Sequence, residues 1–515
     1  MRLKIGIFIS AIFILLVFGC VDEEWDMHYN DYPETVNQNI WKAMQNDPRI
    51  SKFVDVIRES KIDTLFETDS PYTLFAPTNE AMDKYPGLGS FDEVVLKYHF
   101  CTFLVNPSDI VGTRQVQTMT EKFALIKRVG DDMKVDDINV SFQSPLYLNG
   151  RYFILDEVAE PKPNLYEYFA HVNPVLSYYI DTQDTIIIDP EKSKPLGFDE
   201  NGNTIYDTVS VVENKFEWKY FPVKHEFRSK SATIVFPKAE DYQKALNVMA
   251  DALGDNYQDY RDIPIEWQNE ILIPELLKKG IFLNRLEQEE FLWDSPTDTV
   301  KLMNILGDSV VIDYIPVDKE LCSNGYAYNY QDFEIADSLY MGSTRYEGEY
   351  LLNQTGINRF AWKDFAVCEC SVPLAPLKEK IANASNDTIL TVYFPDQFDG
   401  DFSLEFPGPR LFPRKYRMVV RTKMYIGGIY DIYVNGELCR TFDYYEYLRR
   451  RGVIRSVTGK WFKPDKSTGT NNFDMWVNSI TEYGKPKIRF EYKGPGRVRT
   501  SGLVIDYIEF VPVEE

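Results

Sequence analysis

Aromatic, basic and amide side chains of the kinds that bind sugars are concentrated between Thr441 and Trp476. A sugar presents apolar C–H faces and a rim of hydroxyl groups, so flat aromatic rings combined with polar donors and acceptors hold it well. Trp461 is the leading candidate because a polar, loop-like run follows it, whereas the strand-like residues around Trp476 predict a core position. A core position is the alternative for Trp461 as well. The candidate glycan-binding residues are Tyr444, Tyr445, Arg449, Trp461, Phe462 and Asn471.

The chain offers little for catalysis. It contains no Gly-rich phosphate loop, no zinc-ligand pair at helical spacing and no Gly-x-Ser-x-Gly motif. Its 4 histidines are widely scattered, which disfavours metal sites and histidine-based catalysis. The cysteines beyond Cys20 show no disulfide or zinc framework, and Cys368 and Cys370 have the spacing of a structural strand. We therefore expect a non-catalytic protein with no cofactor and no metal.

The net charge of −23 in 515 residues argues against two classes of partner. Nucleic-acid binding needs a basic footprint, which a chain with 79 acidic and 56 basic residues does not offer overall. Polybasic docking on an anionic membrane is disfavoured for the same reason. Any membrane contact is expected to run through a lipid anchor only.

The first residues have the pattern of an export signal. Arg2 and Lys4 precede the apolar run from Ile5 to Phe18, which is too short to span a bilayer comfortably. The segment from Leu16 to Cys20 resembles a bacterial lipobox, which implies a signal peptide over residues 1–19 and lipidation of Cys20. An ordinary signal peptide with an incidental cysteine is the alternative.

An acidic cluster follows this cysteine. Asp22, Glu23 and Glu24 resemble the surface-export signal of lipoproteins in glycan-foraging Gram-negative bacteria, within a tether over residues 20–36. The resemblance implies an outer-membrane protein that faces the cell exterior. The alternative is a solvated acidic tether.

Residues 37–161 contain a strand–proline–helix pattern. A strand from Tyr72 to Phe75 is stopped by Pro77, and Thr78 or Asn79 can cap a helix that begins near Glu80. The run Thr73-Leu-Phe-Ala-Pro-Thr-Asn-Glu-Ala, the later Leu96-Lys-Tyr-His-Phe and the closing Asn149-Gly150 resemble the signatures of fasciclin-like domains. That family's fold is an α/β wedge, in which His99 would be a buried structural residue.

Residues 164–343 resemble a degenerate second copy. Thr233 to Glu240 align with Thr73 to Glu80, but Lys238 and Ala239 replace the capping pair, and Asn324-Gly325 repeats the closing turn. A run rich in Asp, Pro, Asn and Gly from Asp181 to Thr208 is predicted to be an inserted loop.

Residues 346–515 change to short alternating strands with turn signals. Asn435-Gly436 predicts a β-hairpin, because both residues tolerate positive φ. The pattern indicates a β-sandwich, and its edges resemble galactose-binding-like jelly rolls. The predicted fold class is multidomain α+β: two fasciclin-like wedges, the second degenerate, and an all-β jelly roll that should bind sugar on its own.

These resemblances imply an accessory or glycan-binding lipoprotein of an outer-membrane polysaccharide uptake system of the starch-utilisation, SusC/SusD-like type. The implied ligand is a polysaccharide or oligosaccharide, and the implied partners are a TonB-dependent transporter and its SusD-like lipoprotein. The alternative is a fasciclin-type adhesion protein that binds cells, matrix or another surface protein.

Overall fold

The computed structural model describes residues 34–513 except 69, 86–90, 190, 200–201, 203, 255, 293–299, 382–383, 397, 424–427, 451–469 and 497–501. The predicted lipidation site Cys20 and the export residues Asp22, Glu23 and Glu24 lie outside this range. The chain divides into two compact units, one of residues up to 245 with 266–333 and one of residues 246–265 with 334–515. Within the described ranges, every helix is too short or too polar to cross a bilayer.

The first fasciclin-like copy opens with helices and closes with strands. Its elements are α1 (Ile40–Gln45), α2 (Ser51–Glu59), β1 (Tyr72–Pro77), α3 (Asn79–Lys84), α4 (Glu93–Tyr98), β2 (Phe100–Cys101), β3 (Gly112–Gln117), β4 (Phe123–Val129), β5 (Asp132–Val135), β6 (Ile138–Gln143) and β7 (Gly150–Leu155). The sheet order is β2-β1-β7-β6-β5-β4-β3. The buried β1 therefore pairs with the last strand of the copy.

The β1–β7 pair is parallel and places Tyr72 beside Gly150. A Cβ atom at Gly150, which has a φ of +143°, would lie 2.0 Å from the Tyr72 carbonyl oxygen. Asn149, just before it, is buried and accepts a hydrogen bond from the Ile40 backbone N–H at 2.9 Å. The Asn-Gly pair thus permits close strand approach and holds the start of α1.

The second copy repeats this arrangement. Its elements are α5 (Leu165–Val172), α6 (Pro174–Thr182), β8 (Asp184–Ile188), β9 (Lys194–Phe198), β10 (Thr204–Asp207), β11 (Ser210–Asn214), α7 (Lys215–Lys219), β12 (Ala232–Val235), α8 (Ala239–Leu253), α9 (Ile265–Trp267), a π-helical turn (Gln268–Leu272), α10 (Ile273–Gly280), β13 (Ile281–Leu283), β14 (Val300–Met303), β15 (Ser309–Ile312), β16 (Pro316–Cys322) and β17 (Gly325–Tyr330). The sheet order β13-β12-β17-β16 reproduces β2-β1-β7-β6.

Equivalent side chains make equivalent contacts in the two copies. The Thr73 hydroxyl donates to the Phe103 carbonyl and accepts from the Val105 N–H, both at 2.8 Å. Thr233 makes the same two contacts, with the Asn284 carbonyl and the Leu286 N–H, also at 2.8 Å. Asn324 accepts from the Leu165 N–H at 2.9 Å, as Asn149 does from Ile40. The structure thus supports the duplication read from the sequence.

Charged side chains join the two copies within the first unit. Lys122 lies 2.5 Å from Glu167, Lys127 lies 3.7 Å from Glu287, and Gln115 donates to the Ser323 carbonyl at 3.1 Å. The two copies therefore form one compact unit.

The helix after β1 is capped by Thr78, whose Oγ1 accepts from the Ala81 N–H at 3.0 Å. Asn79, the other predicted cap, is instead the first residue of α3. Its side chain donates to the Pro48 carbonyl and accepts from the Lys52 N–H, at the start of α2. Asn79 therefore ties the two helices together.

The predicted loop from Asp181 to Thr208 is mostly regular structure. Helix α6 ends at Thr182, and strands β8 and β11 pair as a two-stranded ribbon that continues into a second ribbon of β9 and β10. The polar composition was misleading because residues on one face of the first ribbon, and most residues of the second ribbon, are exposed although they form strands.

The second unit is a β-sandwich. Its elements are β18 (Thr344–Glu347), β19 (Leu352–Gly356), β20 (Arg359–Trp362), β21 (Val367–Cys370), β22 (Leu377–Lys380), β23 (Thr388–Tyr393), β24 (Phe402–Pro407), β25 (Tyr416–Lys423), β26 (Ile429–Val434), β27 (Glu437–Asp443), α11 (Tyr444–Arg450), β28 (Thr470–Val477), β29 (Lys487–Tyr492), β30 (Gly502–Ile505) and β31 (Tyr507–Pro512). The main sheets have the orders β18-β31-β25-β28 and β21-β24-β29-β26-β27.

Local signals in this unit act as predicted. Asn435 and Gly436 both have positive φ and join β26 to β27, which confirms the hairpin. Cys368 and Cys370 lie on β21 and pack against the core. The unit also includes residues 246–265, whose Tyr257 ring lies 5.9 Å from that of Phe412. The predicted jelly-roll fragment from residue 346 lacks that segment.

His99 has the structural role expected of it. It is fully buried, its Nδ1 lies 2.8 Å from the Val95 carbonyl, and its Nε2 accepts from the Ala159 N–H at 3.2 Å. Burial lowers the pKa of His99 to about 4, so the ring stays neutral and bridges α4 to the end of the copy.

We predict that acid destabilises the first unit through His99. The folded pKa lies below the usual 6.5, so the stabilising contribution is complete above pH 6.5 and is lost as the pH falls towards about 4. That window corresponds to roughly 3 kcal/mol of unfolding free energy. Urea unfolding of the wild type and His99→Leu across this range should show a flatter pH dependence in the variant. The exposed His171 supplies the control, His171→Asn, which should follow the wild type, and equal slopes for all three proteins would contradict the assignment.

Candidate functional site

Two of the predicted sugar-binding rings are part of the core. Tyr444 and Tyr445 are buried, and the Tyr444 hydroxyl lies 2.7 Å from the Thr422 hydroxyl. The Tyr444 ring packs against Phe442 at a centroid distance of 4.8 Å. Neither ring can stack on a ligand, so the prediction is wrong for both. Helix α11 begins directly at the end of β27, and the sequence does not show that this turn directs its first two rings inward.

The four other predicted residues lie outside the described part of the chain or have side chains outside it. Trp461 and Phe462 lie in residues 451–469, outside the described ranges, and the side chains of Arg449 and Asn471 are likewise outside them. These four stay predictions.

Trp476, predicted to be core, is 61% exposed. The prediction that Trp476 lies on a strand is correct, but the prediction that its side chain faces the core is wrong. Phe473, Met475 and Val477 face the core, so the intervening Asp474 and Trp476 point outward, as alternation along a strand requires. This phase could have been read from the sequence, because Asn472, Asp474 and Trp476 alternate with three purely apolar residues.

Two arginines lie near Asp474, which is two residues before this tryptophan on the same strand face. Arg417 on β25 is the cross-strand partner of Trp476, and Arg417 also lies 3.6 Å from Asp474. Arg440 on β27 lies 3.9 Å from the other carboxylate oxygen of Asp474 and donates to its backbone carbonyl. Its guanidinium is 5.2 Å from the centroid of the buried Phe442 ring, which restrains it. We call this surface, formed by Trp476, Asp474, Arg417 and Arg440, the Trp476 platform.

The Trp476 platform has the chemistry of a sugar-binding surface. An exposed indole supplies a flat apolar face, and the adjacent arginines and carboxylate supply donors and acceptors for hydroxyl groups. Because Arg417 and Arg440 are already positioned by Asp474, a ligand would lose little side-chain entropy on binding.

A second concave surface lies on the outer face of the five-stranded sheet. It is a groove of about 870 Å³, and Glu369, Ser403 and Glu491 form a row across three of its strands. Lys493 contacts Glu491, and Arg489 lies 3.4 Å from it. Four acidic and two basic side chains line this groove, so it is net acidic, and a polar ligand would have to compete with the existing ion pairs of Glu491. The Trp476 platform offers an unoccupied aromatic face instead.

Three buried carboxylates meet near the start and the end of the sandwich. Glu347 accepts from the Ser385 hydroxyl at 2.7 Å, Glu349 from the Thr388 hydroxyl at 2.9 Å, and Asp506 from the Ser385 N–H at 2.9 Å. The second carboxylate oxygens of Glu347 and Glu349 are buried without a hydrogen-bond partner. Asp506 also lies 3.1 Å from Arg421.

Burial raises the pKa of Asp506 to about 6, and the charges of Glu347 and Glu349 add to the effect. Across the described ranges, no group of three or more His, Cys, Asp or Glu side chains has the arrangement of a metal site. The Arg421 guanidinium and the Ser385 N–H oppose this rise in the pKa of Asp506.

Comparison with known proteins identifies part of the chain. The family model described as "Fasciclin domain" matches residues 48–161. Immunogenic protein MPB70 of Mycobacterium bovis is 30% identical over 134 residues, which cover 23% of this chain and 67% of that protein. The match confirms the resemblance carried by the segment from Thr73 to Ala81.

Solved structures match at lower identity. The FAS1 domain pair of the insect cell adhesion molecule Fasciclin I is 12% identical, with a TM-score of 0.21, and the match covers 56% of this chain and 97% of that chain. A family 35 carbohydrate-binding module from Clostridium thermocellum is 15% identical, with a TM-score of 0.20, and the match covers 33% of this chain and 98% of that chain.

We predict that the charge of Asp506 destabilises the sandwich at neutral pH. Because its folded pKa of about 6 exceeds the usual 3.8, its contribution to stability is complete below pH 3.8 and is lost as the pH rises through about 6. Asp506→Asn should therefore melt at a higher temperature than the wild type at pH 7, and the difference should shrink towards pH 4.5. Thermal unfolding in EDTA, which removes cations that bind carboxylates, measures this; a variant that melts lower at pH 7 would contradict the assignment.

Proposed function

We propose that this chain, which belongs to the fasciclin-domain family, is a non-catalytic protein that binds a polysaccharide or oligosaccharide through the Trp476 platform of its β-sandwich. The exposure of Trp476 between Arg417 and Asp474 is the observation that carries the proposal. A single exposed ring is ordinary on a protein surface, but Trp476 has Arg417 as its cross-strand partner, and Asp474 lies 3.6 Å from that arginine.

The two fasciclin copies support this function as a scaffold. Their polar side chains are used for capping and strand closure, as with Thr73, Thr233, Asn149 and Asn324. His99 is buried, and its two ring nitrogens contact the backbone of Val95 and Ala159, which is a structural use of the ring. We assign these copies a spacer or docking role.

The location proposed for the protein is the outer face of the outer membrane. The lipobox ending at Cys20 and the acidic run Asp22-Glu23-Glu24 support it. Multiple acyl chains provide the stable attachment that a single chain does not. In that position the protein would serve a polysaccharide uptake system, with a TonB-dependent transporter and a SusD-like lipoprotein as partners.

A glycan array tests the binding function. We expect the soluble chain without its lipid anchor to bind at least one polysaccharide, and Trp476→Ala to bind it about tenfold more weakly. Stacking on an aromatic ring contributes about 1–3 kcal/mol in the analogous case of nucleic-acid bases, and 1.4 kcal/mol is tenfold in affinity. The melting temperature should change little, because the Trp476 ring is largely in solvent.

The matched control is Trp218→Ala, since Trp218 is 64% exposed and lies in the other unit. Trp461→Ala is measured in parallel because that residue stays a prediction. Binding lost only with Trp461 would move the site into residues 451–469. No binding to any glycan on the array, together with binding to cells or matrix proteins, would instead favour an adhesion function.

Fractionation tests the anchor. Cys20→Ser should release the protein from the membrane fraction, whereas Cys439→Ser should leave it there. Replacing Asp22, Glu23 and Glu24 with alanine should preserve membrane attachment but abolish labelling of whole cells by an impermeant reagent. Membrane retention of Cys20→Ser, or unchanged labelling of the alanine variant, would refute the corresponding part of the proposal.

A further inference from the structure

The insertion in the second fasciclin copy is an ordered arm rather than a loop. We define the arm as the described residues of 184–214, that is, without 190, 200–201 and 203; they contain the ribbons β8–β11 and β9–β10. Asn214 fixes its base, because its side chain donates to the Ile180 carbonyl and to Asp184 and accepts from the Glu217 N–H. Asp189 orders the junction of the ribbons by accepting from the N–H groups of Glu191 and Lys192.

Large apolar side chains of the arm stand in water. On one face of the first ribbon, Ile186 is 74% exposed and its cross-strand partner Val212 is 66% exposed. Ile188, two residues along the same face, is also exposed, as are Leu196 and Phe198 in the second ribbon. Singly scattered exposed hydrophobics are ordinary, but paired ones on a two-stranded ribbon leave an apolar face without cover.

The arm also has free strand edges. Each ribbon is a sheet of two strands among the described residues, so every one of these strands has one edge that pairs with no other strand. Such an edge presents a row of backbone donors and acceptors that another extended chain can pair with. A ribbon of two strands is only marginally stable in water, and a third strand would stabilise it.

The charge of the arm selects the partner. Residues 184–214 contain seven acidic and two basic residues. One of the basic residues, Lys192, is paired with Asp189 at 3.0 Å. A second acidic arm and an anionic membrane would both be repelled. A strand that carries lysine or arginine between apolar residues would be attracted.

We propose that the arm is a docking element that adds a β-strand from a partner protein, a strand in which apolar residues alternate with basic ones. The backbone pairs with a free edge of β8 or β11, the apolar residues pack beside Ile186, Ile188 or Val212 on the same face, and the basic residues are attracted by the net negative charge of the arm. This interaction is independent of glycan binding, since it uses no residue of the Trp476 platform.

Two nine-residue peptides test the proposal, one alternating valine with lysine and one alternating valine with glutamate. Each is labelled and titrated with the chain lacking its lipid anchor, and binding is followed by fluorescence anisotropy. We expect the valine–lysine peptide to bind and the valine–glutamate peptide not to bind. Ile186→Thr combined with Val212→Thr keeps residues that favour strands. It should weaken binding at least tenfold.

The control is Val311→Thr, a change of the same kind in the two-stranded ribbon of β14 and β15. It should leave binding unchanged. Hydrogen exchange should show new protection of backbone amides in β8 or β11 when the valine–lysine peptide is added. Equal binding of both peptides, unchanged affinity in the double variant or absence of protection in the arm would overturn the proposal.

Two further measurements address the other occupants. Concentration-dependent dimerisation that the double variant abolishes would overturn the proposal in favour of a second copy. Arm-dependent sedimentation with vesicles of phosphatidylcholine and phosphatidylglycerol would overturn it in favour of a membrane. The proposal is supported if the protein is monomeric, does not sediment with these vesicles and binds the valine–lysine peptide.

Discussion

Parallel pairing of an early strand with the last strand is the constraint on which each fasciclin copy depends. β1 pairs with β7 and β12 with β17, and each closing strand begins at the glycine of an Asn-Gly pair. A Cβ atom at Gly150 or Gly325 would lie 2.0 Å from a carbonyl oxygen of the partner strand. The buried asparagine before each glycine then holds the opening helix, so one dipeptide fixes both strand closure and helix entry.

In the β-sandwich, the direction of each side chain decides which residues meet solvent. Phe442 and Phe473 stack at 3.7 Å inside the unit, which fixes the phase of β28 and directs Trp476 outward. The Arg440 guanidinium lies over the rings of this aromatic pair and is 3.9 Å from Asp474. The Trp476 platform is thus a consequence of core packing, and its geometry does not depend on a flexible loop.

Much of the architecture is predictable from the sequence because local signals and tertiary contacts agree there. The strand–Pro77–helix pattern, the Asn435-Gly436 hairpin and the buried His99 all occur as expected. The same logic failed where a residue's partner is distant in sequence. Asn79 could not be distinguished from Thr78 as a cap, because its actual partners lie about thirty residues earlier, at Pro48 and Lys52.

The candidate site was harder to predict than the fold. Composition indicates an aromatic segment, but its side chains differ in solvent exposure. Tyr444 and Tyr445 are buried, whereas Trp476 is exposed. The strands of the arm were not predicted for a related reason. Many polar and turn-forming residues in this segment indicate a loop, and the apolar residues of its strands are exposed. Hydrophobic periodicity indicates strands, but it does not distinguish an apolar face that is buried in the protein from one that is exposed to solvent.

The assignment of residues 246–265 to the second unit bears on how the protein can be divided. That unit is built from two separate stretches of chain, and Tyr257 in the earlier stretch packs on Phe412 in the later one. A single cleavage after residue 333 would therefore leave part of the sandwich covalently attached to the fasciclin copies. The two units are consequently not two consecutive, independent stretches of chain. Recombination at that one position would not transfer a complete sandwich to another protein.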